Sequence, residues 1–371
     1  MNLKRLIIGN LINIPGWHTN QKIIVIESDD WGSIRIPSKD IFDYFVKKGY
    51  RQEKGLYDKY DSLASNDDLE SLFDVLSSIR DINGNPAVIT ANSVVVNPDF
   101  DKIKASDFHE YHYELFFETL DKYNNHSRAF ELWKEGMNNK LFIPQFHGRE
   151  HINIPKWMRA LQNNDRDVRF AFDLGMSGIF PKDQPQLGNK YVIAYAIDSH
   201  DDLIFHKKSI EDGLNLFEKI WGFKSKSFIA PCYTWSKSIE PILKNKQVDL
   251  LQGGTFQFEP RIGYTYKRIF HYSGEKNHSV QRYNIRNCVF EPTSNLNFNW
   301  TDACLKQIQT AFRWRKPAVI ASHRVNYIGN IDKSNRDKNL KLLKTLFLEI
   351  KKNWPDVEFT SSDKLINLMI R

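Results

Sequence analysis

His147 and His151, in Gln145-Phe-His-Gly-Arg-Glu-His151, stand four residues apart. From one helical turn, two such imidazoles can face the same way and share a divalent cation. Two neutral imidazoles and one carboxylate leave coordination positions open, as a catalytic ion requires. The carboxylate is offered early in the chain, where Ile23-Ile-Val-Ile26 leads into Glu27-Ser-Asp-Asp30-Trp-Gly32. At a strand end, where the chain turns, Asp29 and Asp30 can face one pocket with different tasks. One binds the ion while its neighbour stays free to take a proton from a water beside it. Near the C-terminus, Ala318-Val-Ile-Ala321 ends in Ser322-His323-Arg324. His323 there suits a general acid that protonates a leaving group. Ala230-Pro231-Cys232-Tyr233 follows the stretch Ser227-Phe-Ile. The proline stiffens that loop, and the backbone N–H and ring of Tyr233 are candidates to meet an oxyanion or a sugar. Trp31, beside the aspartates, offers a further face on which a sugar ring can stack.

Each motif alone is weak. A turn or helix cap accounts for Asp-Asp, and surface helices carry H-x-x-x-H pairs. Their joint placement after apolar runs carries the argument, because α/β folds gather their chemistry at the carboxyl ends of buried strands. A rival cluster, Asp198-Ser-His200-Asp201-Asp202, has ligand spacing but no convergent partner.

Strand-like runs at 23–28, 87–96, 141–147, 226–230, 248–252, 318–322 and 357–360 must position these groups. Helical patterns fall between them at about 38–49, 67–80, 107–122, 155–163, 209–221, 236–246, 301–314 and 335–353. In the last, Leu340, Leu343, Phe347 and Ile350 repeat at helical spacing. Strands separated by helices predict a parallel sheet, and about seven such units point to a barrel. Residues 164–208 and 253–300 break the rhythm and read as insertions beside the site, with some antiparallel strand, in a single catalytic domain over 1–371.

Asp29-Asp30-Trp-Gly32, His147-x-x-x-His151, Pro231-x-Tyr233 and Ser322-His323 follow the order of motifs in the polysaccharide deacetylases, the NodB-homology group (carbohydrate esterase family 4), which the chain resembles over roughly residues 22–365. Phe359-Thr-Ser-Ser-Asp363 before a last helix is similar to that group as well. The resemblance implies a distorted (β/α)7 barrel and one divalent metal, most often zinc. It implies hydrolysis of N- or O-acetyl or related acyl groups on a sugar or sugar conjugate. Carried over by position, Asp29 is the general base, Asp30, His147 and His151 the metal ligands, and His323 the general acid. The chain departs from the family at Glu27-Ser28 and Trp31 in the first motif and at Gly148 in the second. The arginine that ordinarily precedes the proline motif and tethers the catalytic aspartate is replaced by Ile229-Ala230. Arg324 is the expected substitute, with Arg149 as the alternative. Two other functions remain open: glycosidic cleavage by Asp29 with Asp198 or Asp202, and carbohydrate binding without catalysis.

The bulk properties are those of a soluble globular chain: 371 residues, 41% hydrophobic, 26% charged, net charge +7. Basic residues are spread along the sequence, which argues against a nucleic-acid partner. Cys232, Cys288 and Cys304 form no C-x-x-C pair, and no segment has the roughly 20 apolar residues of a membrane span. A cytoplasmic enzyme is expected, with the helix-like residues 1–14 as a minor route to a membrane surface.

Overall fold

The run Ile23–Ile26 is apolar at successive positions, so both faces of its strand must be covered, as in a parallel sheet between helices. The computed structural model, which describes residues 3–50, 55–178 and 191–370, bears this out. Strand β1 (Ile23–Trp31) is buried at all nine positions, including its polar end Glu27–Asp30.

The remaining strands are β2 (Ile89–Ser93), β3 (Val96–Pro98), β4 (Tyr113–Leu115), β5 (Phe142–Phe146), β6 (Ser227–Phe228), β7 (Leu250–Gly253), β8 (Phe256–Arg261), β9 (Thr265–Phe270), β10 (Arg282–Ile285), β11 (Cys288–Val289), β12 (Ala318–His323) and β13 (Glu358–Thr360). Nine of the thirteen form one sheet in the order β10-β7-β6-β5-β2-β1-β12-β11, with β13 also on β1. Every pairing within it is parallel. Since β12 occupies one edge of β1, β13 and β2 share the other, pairing with successive parts of it. The two outer strands, β10 and β11, are joined through Arg286-Asn287 alone. Three Cα–Cα steps reach about 11 Å, so the sheet must curl until its edges nearly meet. The α/β class and the curled parallel sheet agree with the sequence; the strand inventory is larger than seven.

Two differences bear on the site. Segment 253–300 supplies the antiparallel hairpin β8–β9, but its last part enters the main sheet as β10 and β11. Segment 107–122, expected to be one helix, holds β4 paired antiparallel to β3, followed by the helix Phe116–Asp121. Pairing of Tyr113-Glu-Leu115 with β3 overrides its helical periodicity. Residues 179–190, part of the other expected insertion, lie outside the described residues. Among the described residues of 164–208 there is helix at Arg166–Asp173 and from His200 onward, and no strand.

Helices close the outer face. Ser65 and Asp68 form a reciprocal capping box at the start of Asn66–Ser77, which buries Leu69, Leu72 and Leu76. The helix Lys333–Asn353 turns Leu340, Leu343, Phe347 and Ile350 inward, as their spacing predicts. No helix of the described residues is long and apolar enough to cross a membrane.

Candidate active site

The chemical residues sit at the carboxyl ends of the parallel strands, the end at which such sheets bind ligands. Asp29 lies beside His323 in the β1–β12 register. Neighbouring residues on a strand face opposite ways, yet Asp29 and Asp30 line the same cavity of about 270 Å³. The backbone resolves the conflict: the β1–β2 register shifts between Ser28 and Trp31, and Asp30 is left-handed, with φ at 73°. Such a conformation costs a non-glycine residue about 1–3 kcal/mol and gathers at functional sites.

His147 and His151 do not share a helical turn. They flank an irregular loop after β5, which bends at Gly148 (φ 104°); a Cβ there would come within 2.7 Å of the Tyr195 hydroxyl. The loop brings one ligand atom of each histidine and of Asp30 within 4.8 Å of one another. All three residues are buried. His147 Nε2 is 3.4 Å and His151 Nε2 3.1 Å from the same Asp30 Oδ1. His147 Nδ1 donates to the Ile229 carbonyl at 2.9 Å, which leaves Nε2 as the ring nitrogen facing the carboxylate. When both Nε2 atoms are unprotonated, their lone pairs and the carboxylate repel, and a cation in their midst converts the repulsion into coordination. A backbone carbonyl that fixes the tautomer is the usual outer partner of a metal-binding histidine. The donor set therefore fits a divalent metal.

The protonation states agree. Burial lowers the pKa of His151 against the pull of Asp30. Burial pushes Asp30 up, but Arg35 and the two histidines outweigh it and hold the group well below the usual carboxylate range. Arg35 donates to Asp30 Oδ2 at 3.0 Å and to Asp61 at 2.9 Å. Asp30 thus offers Oδ1 to the histidines while Oδ2 is spent on Arg35.

Asp29 is held from three sides. Arg286 donates to both its oxygens, at 2.6 and 2.7 Å, and Asn92 donates to Oδ1 at 2.8 Å. Burial raises the Asp29 pKa, but Arg286 together with His147 and His323 outweighs it, and the net direction is down. The same guanidinium reaches Glu27 at 2.7 Å. Glu27 goes the other way, raised by burial against the opposition of Arg286. His323 Nε2 lies 3.8 Å from Asp29, while Nδ1 is 2.6 Å from Glu291. Burial lowers the His323 pKa, but Glu291 and the two aspartates overcome it and raise the group to about 9.

Three expected site residues fall elsewhere. Arg324 is fully buried and forks onto Asp61 at 2.8 and 3.2 Å; the residue that grips Asp29 is Arg286. Arg149, the alternative, pairs with Glu150 and Asp212. Trp31 donates to Ser28 and packs edge-on against Phe142 and Trp133, so it belongs to the core. Tyr233 does line the cavity, but its backbone N–H is spent on the Ala230 carbonyl at 3.0 Å. The rival cluster is a helix start: Asp202 pairs with Arg159 and accepts from the Asp198 N–H, and neither aspartate lines the Asp29 cavity. Among the described residues, Asp30, His147 and His151 are the one group placed to hold a metal. Arg286, Glu291, Arg35 and Asn92 were not anticipated. Cys288-Val-Phe-Glu291 carried the signal found at β1, an apolar run ending in a carboxylate.

No known protein family and no curated protein matches the chain. Among solved structures, a 4-alpha-glucanotransferase from Thermococcus litoralis is 10% identical with a TM-score of 0.43; the match covers 93% of this chain and 38% of that one. A protein described provisionally as a glycoside hydrolase/deacetylase, from Parabacteroides distasonis, is 8% identical with a TM-score of 0.48, covering 95% of this chain and 71% of that one. A polysaccharide deacetylase from Bacillus cereus is 11% identical with a TM-score of 0.28, covering 71% and 64%. The chain thus spans well under half of the glucanotransferase. Carbohydrate-active enzymes of two kinds are among its structural neighbours, at similarities too low to assign residues or chemistry.

Proposed function

We propose that the protein is a metal-dependent hydrolase that removes an acyl group, an N- or O-acetyl in the first instance, from a carbohydrate or sugar conjugate. One observation carries this reading: Asp30, His147 and His151 converge on one point of a cavity whose wall also holds Asp29 and His323. The deacetylase-like order of the motifs supports the acyl-sugar substrate and a barrel of the distorted (β/α)7 type. A divalent cation, zinc by preference, would supply Lewis acidity and lower the pKa of a water beside it. Asp29, ionised and fixed by Arg286 and Asn92, accepts that water's proton as the acyl carbonyl is attacked. His323, charged through Glu291, gives a proton to the departing amine or alcohol. Tyr57 and Tyr233 line the cavity beside these groups and offer faces for a sugar ring.

The test is elemental analysis of the purified protein alongside acetate release from N- and O-acetylated sugars, with and without chelator. One divalent ion per chain and chelator-sensitive release are expected. His147→Ala or His151→Ala should weaken metal binding by more than the ~10–100-fold typical of losing an outer hydrogen-bond partner, read as metal per protein after dialysis. Full metal content in both variants would refute the site.

A pH prediction follows from His323. The acid form is needed, and it is present below its raised pKa of about 9 and lost as pH rises through it. Turnover should therefore fall on the alkaline side. A bound cation works against the raised pKa, so metal moves that limb to lower pH. In His323→Gln the limb should vanish together with most of the rate, as pH–rate profiles would show.

A further inference from the structure

A second cavity, of about 470 Å³, lies behind the β10–β11 seam between the N-terminal helix Leu3–Leu11 and the helix Trp300–Arg313. Its size falls in the roughly 300–1,000 Å³ range of small-molecule sites. Its apolar wall includes Ile8, Ile12, Val289, Phe298 and Trp300. The polar groups that reach it already have partners. Asp302 pairs with Lys306, Gln307 accepts from the Val289 N–H, and the Asn287 amide donates to Asn13 and to the Pro317 carbonyl. Arg286 is spent on Glu27 and Asp29. What the cavity offers a ligand is apolar surface.

Ile8 and Phe298 of this wall also face solvent, and apolar side chains near them in the sequence are exposed with them. Ile7, Ile8, Leu11, Ile14, Leu296 and Phe298 are each at least 38% exposed, a clustering that marks an interaction surface. Charge adds a direction. Residues 1–19 and 296–316 contain six Lys or Arg and one Asp, +5 of the chain's +7; of these, Arg313 and Arg315 are exposed, Lys306 is exposed but paired with Asp302, and Lys316 is buried. The two segments touch: the Trp314 indole donates to Asn10, and Lys316 donates to the carbonyls of Pro15 and Trp17. Exposed apolar side chains set among basic residues are the make-up of a segment that lies on an anionic bilayer.

We propose that this face docks on an anionic membrane surface and that the cavity takes the hydrocarbon chain of a lipid from that bilayer. A concave, apolar space with its polar groups satisfied fits a chain. The basic surround fits lipid headgroups better than a second copy of the same basic face, which would repel itself. The proposal stands apart from the hydrolase reading.

The test is flotation of the full chain with vesicles of phosphatidylcholine alone or mixed with phosphatidylglycerol, together with quenching of tryptophan fluorescence by lipids brominated on the acyl chain. Flotation should require the anionic lipid and weaken at high salt. Leu11→Glu, at a position 57% exposed and so harmless to folding, should weaken it at least tenfold. Bromolipid should quench Trp300, a component absent from Trp300→Phe. Ala303→Phe, which fills the cavity, should remove that quenching while leaving flotation intact. Absence of flotation overturns the proposal. So does quenching unchanged in both Trp300→Phe and Ala303→Phe, which would mean surface contact only. Concentration-dependent self-association abolished by Leu11→Glu, without vesicle binding, would assign the face to a second copy instead.

Discussion

Asp29→Asn is expected to lower turnover by about 10²–10⁴-fold, the usual contribution of a positioned general base, and to leave the metal content at that of the unaltered protein. Asparagine keeps the shape of the side chain and a carbonyl oxygen for Asn92 and Arg286, but it cannot take a proton. The neighbouring ligand Asp30 faces the same cavity at its left-handed φ, but its oxygens are committed elsewhere, Oδ1 to the histidines and Oδ2 to Arg35. The ion and the base therefore depend on different carboxylates, and the two losses must separate. Asp30→Asn should lose metal and turnover together, whereas Asp29→Asn loses turnover alone. Folding should survive in Asp29→Asn, because Arg286 retains Glu27 as a charged partner. Full activity in Asp29→Asn would refute the assigned base. Loss of metal in that variant would mean that the two aspartates act as one ligand set.

The part of this site that was legible in the sequence is the part written in short motifs. Ile23–Ile26 before Asp29-Asp30, Gln145-Phe146 before His147 and Ala318–Ala321 before His323 each announce a buried strand and the group at its end. The seven expected strand segments all contain strand, with bounds shifted by a few residues. What stayed hidden is what only the curl of the sheet creates. Arg286 is 257 residues from Asp29 in sequence, and nothing local marks it as that carboxylate's partner. It reaches Asp29 because the link between β10 and β11 lies beside β11, two places from β1 in the sheet order, within a segment that reads as irregular because its strands are four and two residues long. Arg324 misled for the complementary reason. Sequence adjacency to His323 placed it near the site, but the short helical turn Arg324–Asn326 swings it to Asp61. Trp31 shows the same effect at shorter range, since the shift that aims Asp30 into the cavity leaves the indole in the core.

Arg286→Met should be the most damaging single change to the fold of the site. The guanidinium is bonded to two buried carboxylates, Glu27 and Asp29, and burial has already pushed Glu27 up in its presence. Its removal leaves two uncompensated charges in the interior, for which the expected cost is about 3–5 kcal/mol, read from urea unfolding at neutral pH. The pH dependence gives the sign. In the variant both carboxylates have folded-state pKa values above their unfolded ones, so the folded form binds more protons. Its stability must therefore fall as pH rises from the unfolded values, about 4, toward the raised ones. The deficit should be small near pH 4 and grow toward neutrality. The same rise in Asp29 should move the acid limb of turnover upward in pH, an effect that loose packing alone would not produce. Arg286→Lys keeps a charge but loses the fork, and should fall between the two in both measures. Adding Glu27→Gln to Arg286→Met should restore part of the stability by removing one of the stranded charges, without restoring the acid limb, because Asp29 remains unpaired. Equal stability of Arg286→Met and the unaltered protein at neutral pH would show that the carboxylates find another cation, and the role given to Arg286 would fail.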